Sequence, residues 1–404
     1  ILEESENYYF KTIESIQSLR YCNLITSRKI IKARKSSLRD LNDNKYPELV
    51  CDGIIGIKRT VYNYKQLAKY INDASKGIKT EKDAKKYLND LRCFELIVKD
   101  SKDINEDLKY YIPAYEAQRS GRTTELEGRL QSCSRAMKKA AFTFYNCYNY
   151  DLKSSQVYIL KWWFEKAGIS TNWFDGYLAS NKNISAASIG ISVKCFKNCM
   201  YAKFMGAKLP SYKEYWDKKA GKYKPEFFCL SIVEYLLEQA QKINKGKGIV
   251  DNDKANEDLM LELLEKFNKF IRPLQEQLNK FYQWLVYDYC ESHQHRGIVK
   301  NLTGMSSNLN EYKTSKGKYK EEINRKITAF FLQGTEAAYI HYLTKENIQK
   351  KYNYEVISNQ HDGLVTIGEI PEAAKEEAKK VLGLPYAHLE IKPICSLKEE
   401  SWWL

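Results

Sequence analysis

Apolar residues recur at three- and four-residue spacing through much of the chain. Within residues 1–110, the stretches YNYKQLAKYINDA and TEKDAKKYLNDLRCFELIV carry this period and predict amphipathic helices with charged outer faces. Over 111–150 the pattern changes. Gly, Ser and Thr become frequent in YIPAYEAQRSGRTTELEGRLQSCSR, and a β-prone aromatic run then leads into Asp151. Helical periodicity returns from 156 to 206. It dominates 227–290, where SIVEYLLEQAQKI and DLMLELLEKFNKFIRPLQEQLNKFYQWLVYDY predict long amphipathic helix broken near Pro273. Residues 243–255 read as a loop, and the polar stretch 301–320 reads as a flexible segment. A helix over 321–351 follows, then two β-like runs around NQHDG, a helix near 371–382 and a short β-like end. Asp362-Gly363 predicts a tight hairpin, because both residues tolerate the positive φ that such turns demand. No internal repeat and no low-complexity domain is present.

Helices mixed with a few strands at this length, 404 residues with 43% apolar composition, allow two or three subdomains around a sizeable core. The net charge of +14, from 65 basic and 51 acidic residues, favours an anionic partner, nucleic acid ahead of membrane. The 31 tyrosines suit stacking on bases and equally suit core filling. The ten cysteines include no CxxC and no Cys/His cluster at zinc spacing, so they read as reduced thiols in a cytoplasmic compartment, the host cytoplasm for a viral or plasmid-borne chain. No apolar run approaches the roughly twenty residues of a membrane span, and no signal-peptide pattern is visible.

Three segments carry candidate chemistry, each with a plain structural counterpart. In YNCYNYDLKSSQVYIL, Asp151 ends a β-prone run; a carboxylate there can present a metal ligand on a rigid element, or simply cap the next helix. In SVKCFKNCMYAKFMGAKLP, Lys194, Lys197 and Tyr201 share one helical face. Two ammonium groups and a phenol ring suit a nucleoside triphosphate, and they also make an ordinary basic surface. In NRKITAFFLQGTEAAYIHYL, Arg325 and Gln333 lie on one side of a helix two turns apart. Gly334 there costs about 1 kcal/mol against Ala, which predicts a close backbone approach.

Read in order, these segments resemble the polymerase domain of family A, DNA polymerase I-type enzymes. SGRTTELEGRLQSCSR is similar to the TGR…LQNxPR segment through Arg122, Leu130, Gln131 and Arg135. YDLKSSQVY resembles motif A (DYSQIE) with Asp151, and KNCMYAKFMG resembles motif B with Lys197, Tyr201 and Gly206. RKITAFFLQGTEAAYI resembles the RAAINAPxQGTAADI helix through Arg325, Gln333, Gly334 and Thr335, and NQHDGLVTIG resembles motif C (xVHDE) with His361 and Asp362. Five matches in the family's order span roughly residues 115–370. The departures are Tyr158 where the family keeps a glutamate that excludes the ribose 2′-hydroxyl, Val193 for the motif B arginine with Lys194 as its substitute, Met205, Ala329, and Gly363 for the last acid of motif C.

The resemblance implies an α+β right-hand polymerase fold with an antiparallel β palm and mostly helical thumb and fingers. It divides the chain into a helical thumb region (1–114), a first palm part with motif A (115–165), fingers (166–300) with a helical insertion over 225–310, and a second palm part with motif C (301–404). It implies a DNA-directed DNA polymerase without a proofreading domain, acting on primer–template DNA and deoxynucleoside triphosphates. Two Mg²⁺ ions would be held by Asp151 and Asp362. Lys197 would act in catalysis; Lys194, Lys197, Tyr201, Tyr158 and Gln156 would meet the nucleotide. Arg122, Gln131, Arg135, Arg325, Gln333 and His361 would meet the nucleic acid. Two alternatives stay open: a single-subunit RNA polymerase-like enzyme, and a non-catalytic nucleic-acid-binding protein that retains the fold.

Overall fold

The structure, a computed structural model, describes residues 46–392 apart from 127, 208–210, 218–221, 229, 250, 251 and 321. Residues 1–45 of the expected thumb therefore lie outside the described residues. The chain divides into two compact units. Of the described residues, the first comprises those within 46–153, 301–305 and 333–392, and the second those within 154–300 and 306–332. Helices and small antiparallel sheets are mixed, as expected of an α+β chain. Among the described residues no helix is long and apolar enough to cross a membrane.

In the first unit, the two predicted N-terminal helices form at Tyr64–Lys76 and Glu81–Lys99. Asn63 caps the first by accepting from Gln66 N, and Thr80 with Asp83 builds a capping box on the second. Their apolar stripes bury Leu67, Ile71, Cys93 and Ile97. The helical period gave no hint of the three short strands beside them, Thr60–Asn63, Lys102–Asp103 and Leu108–Tyr111. These are too short to show an alternation against the longer helical signal.

The sheet that matters for function has four antiparallel strands. Their order is Glu355–Asn359, Gly363–Ile367, Cys147–Leu152, Leu389–Lys392. The aromatic run before Asp151 is thus a central strand, and the predicted hairpin is its neighbour. Val365 and Ile357 from the hairpin share a core with Met137, Ala141 and Phe142, which lie on and just after the helix Arg135–Ala141. That core fixes which face each strand residue takes, because a one-residue slip would turn Val365 out of it.

In the second unit, helices run over Ser155–Lys166, Asn172–Ala179, Lys182–Ile189 and Val193–Phe204. A two-stranded hairpin, Ser211–Asp217 with Lys222–Phe228, precedes two long helices, Leu230–Gly246 and Asp253–Gln283. The expected break near Pro273 does not occur: the helix Asp253–Gln283 continues through it. An interior proline costs about 3 kcal/mol. Met260, Leu263, Leu264, Phe267, Ile271, Leu274, Leu278 and Phe281 are all buried along this helix, and each fully buried side chain contributes roughly 1.5–3 kcal/mol. Burial on both sides of the proline outweighs its cost.

Two further expectations change. The segment 301–320 is structured: Ser306–Asn308 pairs with Ile298–Lys300, and the 3₁₀ turn Leu309–Tyr312 buries Leu309 and Tyr312. The helix expected over 321–351 is two helices, Ile323–Thr344 and Glu346–Tyr352, because Lys345 between them leaves the helical backbone (φ −55°, ψ 133°).

Candidate active site

Asp151 is the penultimate residue of the central strand, and its register partners are Gly363 on one side and Glu390 on the other. Asp362 follows the hairpin tip, and its carbonyl accepts from Leu152 N at 2.8 Å. The two aspartates therefore stand at the same end of two hydrogen-bonded strands, whose backbones are typically about 4.8 Å apart.

The hairpin achieves it differently from the sequence expectation. The positive φ lies at His361 (+72°), while Asp362 and Gly363 have ordinary backbones. The tip is held by Asn359, whose Oδ1 accepts from His361 N at 2.8 Å, and by Gln360 N donating to Gly363 O at 2.9 Å. Gly363 is needed for another reason. A Cβ there would run into the Tyr150 carbonyl oxygen and lie 3.3 Å from Asp151 Cα. The position where the resembling family keeps a second acid is here filled by the backbone of the neighbouring strand.

Cations surround the two aspartates. Lys392, from the strand Leu389–Lys392, donates to Asp151 Oδ2. Lys138, on the helix Arg135–Ala141, donates to Gln360 Oε1 at 2.6 Å. Burial pushes its pKa down, and Asp362 is among the anions that oppose this. The His361 imidazole is held below its ordinary pKa, first by burial and then by Arg122, so it is neutral at neutral pH. A backbone hydrogen bond to Thr123 holds the ring, while Nδ1 is buried with no partner in the structure. Arg135 is exposed and lies near Lys392, whose pKa it helps to lower.

Two residues assigned to nucleic acid are committed inside the protein. Gln131 is 6% exposed. Its Nε2 donates to Thr123 O at 3.1 Å and Asn359 O at 2.9 Å, and its Oε1 accepts from Glu125 N at 2.7 Å. It ties the hairpin to the strand Thr123–Glu125 and is not placed to reach a ligand. Arg122 pairs with the buried Glu336, although its Nε is left without a partner. Glu336, on the helix Ile323–Thr344, was not foreseen from the sequence. The close approach expected at Gly334 is real. A Cβ there would collide with the amide of Asn301, which also donates to Ser120 O at 2.9 Å. We expect Gln131→Leu to destabilise the protein by about 1–3 kcal/mol, since it removes three hydrogen bonds to buried backbone groups. Urea denaturation checks this, and a change below about 0.5 kcal/mol would contradict the strut.

In the second unit, Lys194, Lys197 and Tyr201 are all exposed on the helix Val193–Phe204, whose other face buries Cys195, Phe196, Cys199, Met200 and Phe204. Gln156 is buried and Tyr158 half-buried on the helix Ser155–Lys166. Gly206 has φ +85°, and a Cβ there would lie 2.9 Å from Arg325 Cα. Two motif segments more than a hundred residues apart thus pack backbone to backbone. Arg325 is exposed; Gln333, in the first unit, is half-buried.

Lys138 and Lys392 were missed in the sequence. Lys138 had a faint signal, three residues after Arg135 on a helical face. Lys392 had none, because only the strand order brings it to Asp151. Among the described residues, no group of three or more His, Cys, Asp or Glu side chains is placed to hold a metal ion. The two aspartates nonetheless suit Mg²⁺: both donors are hard oxygens, Mg²⁺ needs only one or two carboxylates, and Asp151 already holds a stand-in cation in Lys392.

No family model and no curated protein matches the chain. Among solved structures, the POL domain of Pol1 from M. smegmatis, in complex with DNA primer-template and dNTP, is similar over 85% of this chain and 68% of that one. Sequence identity is 11% and the TM-score 0.46.

Proposed function

We propose that the chain is a template-directed nucleotidyltransferase, a DNA polymerase of right-hand architecture that extends a primer 3′ end. One observation carries the reading. Asp151 and Asp362, 211 positions apart (362 − 151), close the same end of two paired strands, in segments that already match motifs A and C. Asp151 and Asp362 would hold Mg²⁺, which when bound supplies Lewis-acid activation of the primer hydroxyl and charge neutralisation at the leaving phosphate.

The chain's own residues would supply the rest. Lys197 would neutralise the triphosphate and donate a proton toward the departing pyrophosphate. Lys194 would share the phosphate contact, and the exposed Tyr201 ring would stack on the incoming nucleotide. Gln156 is buried, so its part is to fix the helix that carries Tyr158. Neutral His361, with its unpartnered Nδ1, suits a contact to the primer end. Arg122 is fixed by Glu336 and would present its remaining N–H groups toward the minor groove, whose acceptors are similar for all base pairs. Arg135, Arg325 and Gln333 would add contacts to the nucleic-acid backbone. We assign the protein to a reducing compartment such as the cytoplasm, on its cysteine usage.

Tyr158 favours a second reading, an enzyme that accepts ribonucleotides, because it stands where the resembling family keeps its sugar-excluding glutamate. Primer extension on DNA and RNA templates with dNTPs and rNTPs tests both. We expect Mg²⁺-dependent extension of a DNA primer on DNA with dNTPs; rNTP incorporation at comparable rate selects the second reading, and no extension in any combination overturns both. Within the active combination, Lys197→Ala should slow incorporation about 10²–10³-fold, the usual cost of losing one charge-stabilising group. Primer–template affinity should stay within about threefold. An unchanged rate would move the role to Lys194.

A further inference from the structure

The ammonium of Lys392 rests on the carboxylate read here as a metal ligand. Glu390 is the register partner of Asp151, and Lys392 stands two residues on, opposite Asn149, so all three share one sheet face. A long side chain reaches a diagonal cross-strand neighbour easily, and Lys392 donates to Asp151 Oδ2. The other carboxylate on this face is already engaged: Glu390 pairs with Lys153 at 2.6 Å.

Two features make the pair exchangeable. The side chains of Lys392 and Asp151 are 46% and 26% exposed, so solvent screens their attraction and the ammonium can swing into water. Arg135 adds a like charge beside Lys392. A divalent ion carries twice the charge and takes carboxylate oxygens directly.

We propose that Lys392 is a resident counter-cation of Asp151, which holds the carboxylate in the metal-free protein, is displaced when a divalent ion binds, and so sets the concentration at which the site loads. This rests on the reading of Asp151 and Asp362 as metal ligands. On displacement, the ammonium is released beside the same carboxylate, where it becomes a free donor for a phosphate oxygen.

The test is direct binding of Mn²⁺ alone to the full chain, followed by electron paramagnetic resonance, for wild type, Lys392→Met, Lys392→Arg, Asp151→Asn and Asp362→Asn. Lys392→Met removes both the competing partner and a nearby positive charge, and should tighten Mn²⁺ binding about tenfold. Lys392→Arg should bind like wild type. Equal or weaker binding by Lys392→Met, or none, overturns the proposal. Failure of the underlying reading looks different: wild type would then bind Mn²⁺ no better than Asp151→Asn and Asp362→Asn. A second measurement needs no variant. Acylation of Lys392 by an amine-reactive reagent, followed by peptide mass mapping, should speed up severalfold when Mn²⁺ is added; an unchanged rate overturns displacement.

Discussion

Asp151→Ala and Asp362→Ala should each lower nucleotide incorporation by about 10³-fold or more, while primer–template affinity changes by less than about threefold. The asymmetry follows from where the side chains stand. Both aspartates close the end of a strand pair whose backbone bonds, including Leu152 N to Asp362 O at 2.8 Å, do not use their carboxylates. Removing a carboxylate therefore leaves the sheet in place. Asp151→Ala frees Lys392, which is 46% exposed and regains water. Asp362→Ala removes one of the anions near Lys138, whose bond to Gln360 at 2.6 Å remains. Binding of nucleic acid, dominated by the surplus positive charge, should survive and even strengthen slightly. Single-turnover primer extension and fluorescence anisotropy read the two quantities. A near wild-type rate from either variant would remove the polymerase reading.

Gly363→Ala should be as damaging to the fold as the aspartate variants are to catalysis. Its new Cβ meets the Tyr150 carbonyl, a backbone atom of the central strand that cannot swing aside as a side chain would. Overpacking of this kind costs typically 1–3 kcal/mol, and a backbone obstacle on the central strand places the variant at or above about 3 kcal/mol. Because Gly363 is the direct register partner of Asp151, strand separation also displaces the two aspartates relative to each other. Gly363→Ala should thus lose stability and incorporation together, whereas Asp362→Ala loses incorporation alone. Gly363→Glu, which would supply the acid that the resembling family carries, should be worse than Gly363→Ala. Urea denaturation beside primer extension separates these cases, and a Gly363→Ala variant with the wild-type midpoint would refute the packing argument.

The two glycines of the hairpin and of the helix Ile323–Thr344 show where sequence reading reaches its limit. Asp362-Gly363 correctly marked a hairpin, yet the reason given, positive φ at those residues, belongs to His361 (φ +72°). Gly334 correctly marked a close approach, yet the partner is the Asn301 side chain of the same protein. In both, composition recorded that space was short and could not record what filled it. Pro273 is the converse. A local helix breaker was overruled by a buried stripe that extends on both sides of it.

Local signals along the chain were sufficient for most of the helices, the hairpin, the aspartate at a strand end and the stripe of Lys194, Lys197 and Tyr201, because each depends on neighbours within a few residues. Strand order decided the rest. It set the Leu389–Lys392 strand beside Asp151 and so brought Lys392 to that carboxylate. It also turned Gln131 inward as a strut. The Lys392–Asp151 and Gln131–Asn359 contacts join residues more than two hundred positions apart, and no local pattern encodes a partner at that distance.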